Sequence, residues 1–208
     1  MKNVLTTFAI VLGLILAIPS QASANRVVVS HLDGEASIFR EDGHHAASVG
    51  LECLQNDIIG VSSGGMLDLS FNQNAGSRFL ANTQATLNHV DPDNARLTIL
   101  QGNVILNVDK LKPGQSFAME TPMATVWASG AKFWGRVLPP SALENGIVAT
   151  VAVLEGAVRI QPIGSDQMVD LKAGQAVDIS KKGIPTIRPA LQAELDAMAM
   201  ANEIAISV

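Results

Sequence analysis

The sequence predicts an all-β protein: a β-sandwich or roll, or a solenoid-like stack of short strands, with one amphipathic helix at its C-terminus. Three observations carry that expectation. From residue 26 to about 187, short apolar runs are broken every eight to twelve residues by Gly, Asn, Asp or Pro. One glycine-centred motif occurs twice, as Ile99-Leu100-Gln101-Gly102-Asn103-Val104-Ile105-Leu106 and as Val153-Leu154-Glu155-Gly156-Ala157-Val158-Arg159-Ile160. A Leu-Lys-x-Gly-Gln turn follows each copy, at 111–115 and 171–175, and a fainter third copy opens at Leu32-Asp33-Gly34-Glu35-Ala36-Ser37-Ile38. Finally, Leu191, Leu195, Met198, Ala201 and Ala205 recur at helical spacing in a tail rich in Ala, Leu, Met and Glu.

Taken in order, the first 24 residues read as an export signal. Lys2 supplies the positive region, residues 4–18 the apolar run, and Ala22-Ser23-Ala24 a small-residue cleavage site before Asn25. No cysteine follows the apolar run, so lipoprotein processing is not expected there. The expected organisation is a signal peptide at 1–24, a β-domain at 25–187 and a helical tail at 188–208, in a periplasmic protein of the bacterial envelope. Secretion is the second choice of destination. No later apolar stretch approaches spanning length, so the mature chain is expected to carry no membrane span.

Strands are expected at 27–29, 36–39, 66–71, 85–90, 96–100, 104–108, 125–127, 132–138, 147–154, 157–160, 169–171 and 176–179. Leu67, Leu69 and Phe71 alternate with Asp68 and Ser70, which places the two sets on opposite faces. Asp91-Pro92-Asp93-Asn94 reads as a hairpin turn, and Pro139-Pro140 with Glu144-Asn145-Gly146 as a longer loop. Pro189 or Ala190 is expected to begin the C-terminal helix, which docks on the sheet.

Composition removes several functions. The formal charge of −5 becomes about −6 without Lys2, and no Lys/Arg cluster appears, so the sequence excludes a nucleic-acid footprint. The single cysteine, Cys53, cannot form an internal disulfide and reads as a buried apolar filler.

With Leu100-x-Gly102-x-Val104, Thr121-Pro122 and Gly130-Ala131-x-Phe133 in that order, the segment 97–137 resembles the FecR-domain family, the periplasmic β-domain of bacterial iron-uptake regulators and of stand-alone exported proteins. Leu100-x-Gly102-x-Val104 precedes Phe117-x-Met119-Glu120-Thr121-Pro122, which is similar to the family's "pF.V.TP" strand. Ala124-Thr125-Val126-x-Ala128-x-Gly130-Ala131-x-Phe133 follows in the place of its "a.V.v.GT.F.V" segment, with Ala131 where Thr is usual. Val151-x-Val153-x-Glu155-Gly156-x-Val158 and Leu171-x-x-Gly174-Gln175 match the closing strand and turn. The resemblance covers roughly residues 34–179. It implies a β-domain that binds or regulates another envelope protein without catalysis or cofactor. Members that regulate sigma factors carry a cytoplasmic helical domain and a membrane span, where this chain shows an export signal; transmembrane anti-sigma signalling by this chain alone is therefore not expected.

Few residues suggest chemistry. Ser129-Gly130-Ala131-Lys132 matches the Ser-x-x-Lys pattern of penicillin-recognising enzymes, but glycine and alternating apolar residues predict strand and turn, not the helix start that chemistry needs. His31, His44, His45 and His89 could in principle bind a metal, yet adjacent strand histidines face opposite ways, and a polar loop explains 41–45. Asp91, Asp93 and Asn94 lack the glycine and distant glutamate of a calcium loop. The remaining candidates are Trp127 and Trp134. If Val126 faces the core, Trp127 faces outward, where it could meet a protein partner or a sugar ring. The expected contact residues are thus Trp127, Ser129, Lys132 and Trp134; the leading expectation is a non-catalytic protein-binding or regulatory module, and the alternative a carbohydrate or cell-wall binder.

Overall fold

The computed structural model describes residues 26–72, 74–142, 146–180 and 186–206. The expected signal peptide, and Glu144 and Asn145 of the expected loop, lie outside the described residues. In chain order the strands are β1 (Val27–Asp33), β2 (Ala36–Arg40), β3 (Gly43–Ala46), β4 (Glu52–Cys53), β5 (Ile58–Val61), β6 (Met66–Phe71), β7 (Ala75–Phe79), β8 (Gln84–Asp91) and β9 (Asn94–Val108). There follow β10 (Ser116–Thr121), β11 (Ala124–Ala128), β12 (Ala131–Val137), β13 (Ile147–Glu155), β14 (Ala157–Pro162), β15 (Val169–Lys172), β16 (Gln175–Ser180) and β17 (Ile187–Pro189). The helix α1 (Gln192–Ala199) and a 3-10 turn at Met200–Glu203 end the chain.

These strands form two sheets that share β9. Sheet I runs β4-β1-β6-β7-β9-β12-β13-β16-β17 and uses residues 102–108 of β9. Sheet II runs β3-β2-β5-β8-β9-β10-β11-β14-β15 and uses residues 94–101. In both, position along the sheet closely follows position along the chain. The molecule is therefore a sandwich built as a stack, with hairpins laid alternately on either side of one core. Ile38, Ile59, Leu87, Leu97 and Ile99 from sheet II meet Leu67, Leu69, Phe71, Leu106 and Phe133 from sheet I in that core. Where the sequence suggested separate strands at 96–100 and 104–108, one fifteen-residue strand bends at Gly102 and changes sheet. Glycine is what permits the bend: φ is +100°, and a Cβ there would strike Thr83.

The repeated motif is a crossing device. Gly34 and Gly156 carry the chain from sheet I to sheet II, and Gly102 carries it back. The Leu-Lys-x-Gly-Gln turns are crossings too, and the repeated glutamine does one job in both. The Lys112 N–H donates to Gln115 Oε1 at 3.0 Å, and the Lys172 N–H donates to Gln175 Oε1 at 2.8 Å.

Among the described pairings, β9 with β10 is parallel and every other is antiparallel. That pair reverses the stack. Before it, crossings at 62–65, 80–83 and Gly102 lie along one edge, linked by Ser62 N–H to Glu35 O, Asn82 N–H to Ser62 O and Leu80 N–H to Asn103 O. After it they lie along the other. Val108 pairs with Ala75, beside a hairpin turn, and also with Ala131, which directly follows the Gly130 crossing.

The helix is shorter than its sequence pattern suggests. Pro189 pairs with Gln175 in β17, and the Ala190 N–H donates to Gly174 O, so both are held extended. The helical turn begins only where the Glu194 carboxylate accepts from the Leu191 N–H at 2.8 Å. Ala205, expected on the apolar stripe, lies beyond the last turn.

Candidate functional site

The sandwich has two outer faces, and the chain treats them differently. On sheet I, the outer side chains Ile105, Trp134, Ala152 and Ala176 pack against Met198, Ala201 and Ile204 of the tail. Gly76 completes the seat, since a Cβ there would overlap Ile204 and the Ala205 carbonyl. Polar contacts fasten the tail along its length. Arg188 bridges Asp178 and Glu194, Arg78 bridges Asp68 and Glu203, Lys132 Nζ donates to Asn202 Oδ1 at 2.6 Å, and Ser70 Oγ donates to Ile206 O at 2.6 Å. Asp68 and Ser70, the polar partners in the β6 alternation, do point away from the core, but into this covered layer and not into solvent.

The outer face of sheet II has no such cover among the described residues. The register aligns Arg96, Ala118, Trp127, Arg159 and Asp170 in one row across β9, β10, β11, β14 and β15. Val126 is fully buried in the core, so Trp127 faces outward as its parity requires. The small Ala118 between them lets the Arg96 guanidinium reach the indole, 5.4 Å from the ring centroid. Arg96 is held there by Glu120 at 3.0 Å, which also accepts from Thr98 Oγ1 at 3.0 Å. On the other side of Trp127 a cleft of about 420 Å³ opens. Leu111, Phe117, Ala128 and Val158 give it an apolar lining, with Ser129, Gln115, Arg159, Asp170 and Lys172 at the polar positions.

The four contact residues expected from sequence divide between the faces. Trp127 and Ser129 line this cleft together. Trp134, 6% exposed, lies beneath the tail on sheet I with the Arg136 guanidinium 5.7 Å from its ring. Lys132 is on that same sheet, paired with Glu155 at 3.0 Å. Ser129 accepts from the Leu111 N–H at 3.1 Å, so the Ser-x-x-Lys pair is directed to separate partners. His45 meets Asp42 at 2.8 Å while His44 lies against Phe39, and Asp91 caps its own turn by accepting from the Asp93 N–H. Cys53 is buried, and burial pushes its thiol up to about 12.

Sequence reasoning did not find Arg96, Arg159, Lys172 or Leu111. The row that joins Arg96 to Arg159, and the cleft that adds Lys172 and Leu111 beside it, need the β11–β14 pairing, which skips two intervening strands and leaves no local periodicity to read.

A two-sheet stack with one face sealed and one open defines the class as a β-sandwich scaffold. The family model described as FecR protein matches residues 57–159, so that segment is similar to the FecR family. No curated protein matches the chain. Among solved structures, two crystal structures of a candidate anti-sigma factor from Parabacteroides distasonis ATCC 8503 share the fold. They are 17% and 18% identical, each with a TM-score of 0.56 and with 69% of this chain covered. The match spans 64% of the length of those chains.

Proposed function

We propose that this chain is a non-catalytic regulatory module of the bacterial cell envelope, exported by its N-terminal segment, that docks another envelope protein on the outer face of sheet II. The match of residues 57–159 to the FecR family model supports the regulatory class, and the similarity to an anti-sigma factor fits a domain that acts by holding a partner. One observation carries the choice of face: the tail seals sheet I, whereas Trp127 on sheet II stands half-buried beside an open cleft. A large aromatic held by a guanidinium from one side is a rigid anchor, the kind of residue that dominates protein interfaces. Immobilised protein is expected to retain a defined partner from envelope extracts, and Trp127→Ala is expected to lose it while the circular dichroism stays that of a β-protein. Retention indifferent to Trp127→Ala would refute the choice of face.

The cleft beside the indole also favours a second reading, in which a cell-wall glycan stacks there. Tryptophan emission that does not respond to peptidoglycan fragments removes it.

A further inference from the structure

The cleft beside Trp127 has a chemistry that narrows what it accepts. Most of its neutral hydrogen-bonding capacity is engaged, leaving the Ser129 hydroxyl proton and one Gln115 N–H. Gln115 gives Oε1 to the Lys112 N–H and Nε2 to Asp93, and Ser129 Oγ takes the Leu111 N–H. Asp170 is occupied by Arg159 Nε at 2.9 Å. A sugar, which presents many hydroxyls and needs a fork of neutral partners, finds few here. What remains is apolar surface at one end, from Leu111 and Trp127, and cationic groups at the other. Arg159 uses only Nε on Asp170, and the Lys172 ammonium has no ion-pair partner among the described residues. These cations sit on a chain whose net charge is −5, so they are a local positive focus on an acidic molecule.

The dimensions fit an extended chain. The lining crosses four neighbouring strands, β10, β11, β14 and β15, a span of about 14 Å at the usual strand spacing. About four residues of extended polypeptide cover that distance. We infer that the cleft receives an extended peptide segment carrying an apolar or aromatic side chain followed two or three residues later by a carboxylate. The apolar group packs beside Trp127 and Leu111, and the carboxylate meets Arg159 and Lys172. The inference rests on the docking reading above and specifies the segment of the partner that enters the site.

The test uses the whole mature chain and calorimetric titration with acetyl-Leu-Phe-Thr-Glu-Asp-amide. Saturable binding is expected, weakened at least tenfold by Arg159→Glu and by Lys172→Glu, both at exposed positions, and weakened further as salt rises. The lysine counterpart acetyl-Leu-Phe-Thr-Lys-Lys-amide, decanoate and the disaccharide of N-acetylglucosamine and N-acetylmuramic acid are expected not to bind. Equal binding of the acidic and lysine peptides, indifference to both charge reversals, or preference for the fatty acid or the disaccharide would overturn the inference. The two readings fail separately. Partner capture that needs Trp127 but survives both charge reversals sinks the acidic segment and leaves the docking face standing. Peptide binding that needs Arg159 in a protein that captures no partner sinks the docking reading instead.

Discussion

The glycine at 156 has φ of +74°, and a Cβ placed on it would run into the carbonyl oxygen of Gly130. Gly174 has nearly the same φ, +78°, but nothing within 4 Å of the Cβ position. The pair separates two costs that are usually confounded. Gly174→Ala is expected to lose about 1–2 kcal/mol, the ordinary penalty of the left-handed conformation. Gly156→Ala is expected to lose about 1–3 kcal/mol more, because two stacked crossings must move apart. Chemical denaturation of both variants measures the difference, and equal losses would contradict the stacking. A second outcome concerns Cys53. With its thiol held near 12 by burial, the native protein is expected to leave a thiol reagent unreacted at neutral pH, and to react with one equivalent once unfolded. Labelling of the native protein would contradict that burial. Both glycines and the cysteine could be read from sequence, since glycine punctuation and an isolated apolar cysteine are local signals. The reason for Gly156 could not, because the atom it must avoid belongs to a crossing 26 residues away in the chain.

The tail is the element whose attachment depends on pH. The Arg188 guanidinium and the Thr150 hydroxyl hold the Asp178 carboxyl below the usual carboxylate range against the cost of burial. Burial pushes Glu194 up, yet Arg188 and the Leu191 N–H outweigh it and leave its carboxyl lowered as well. Both groups bind protons less readily folded than unfolded, so their contribution is complete above the unfolded carboxylate values of about 3.9–4.3. It is lost as pH falls through the lowered folded values. In a Trp127→Phe variant, where Trp134 is the sole tryptophan, emission is expected to hold steady from about pH 7 to about pH 5 and to shift red as pH falls below about 4. Emission unchanged into strong acid would mean that these carboxylates do not hold the tail. Helical spacing revealed the docked stripe of Leu195, Met198 and Ala201 but not where the helix starts. Tertiary pairing decides that point: the β17–β16 ladder claims Pro189, overriding the helix-start preference of proline.

For the molecule as a whole, the parallel β9–β10 pair has the widest consequence. It moves most of the sheet crossings from one edge of the sandwich to the other at mid-chain; before it, the β4–β5 connection at 54–57 alone already crosses on the second edge, among the hairpins. The terminal strands are short: β4 has two residues, β17 three, and β3 and β15 four each. Asp170 and Lys172 also place charges on β15. Short, charged terminal strands discourage end-to-end growth of the stack and leave its broad faces for recognition. The all-β class and the crossing glycines were legible because turn residues and period-two alternation are local. The choice between sandwich and solenoid was not, since strand spacing is the same in both and only pairing across the chain settles it. The same limit hid the row from Arg96 to Asp170, and with it the contrast between a sealed sheet I and an open sheet II. That contrast is tested most directly by photocrosslinking in the living bacterium, with a benzophenone side chain installed at the exposed Ala157 on sheet II or at Glu203 over sheet I. A discrete adduct to another envelope protein is expected from position 157 and none from 203. Adducts from 203 alone, or from neither position, would contradict docking on sheet II.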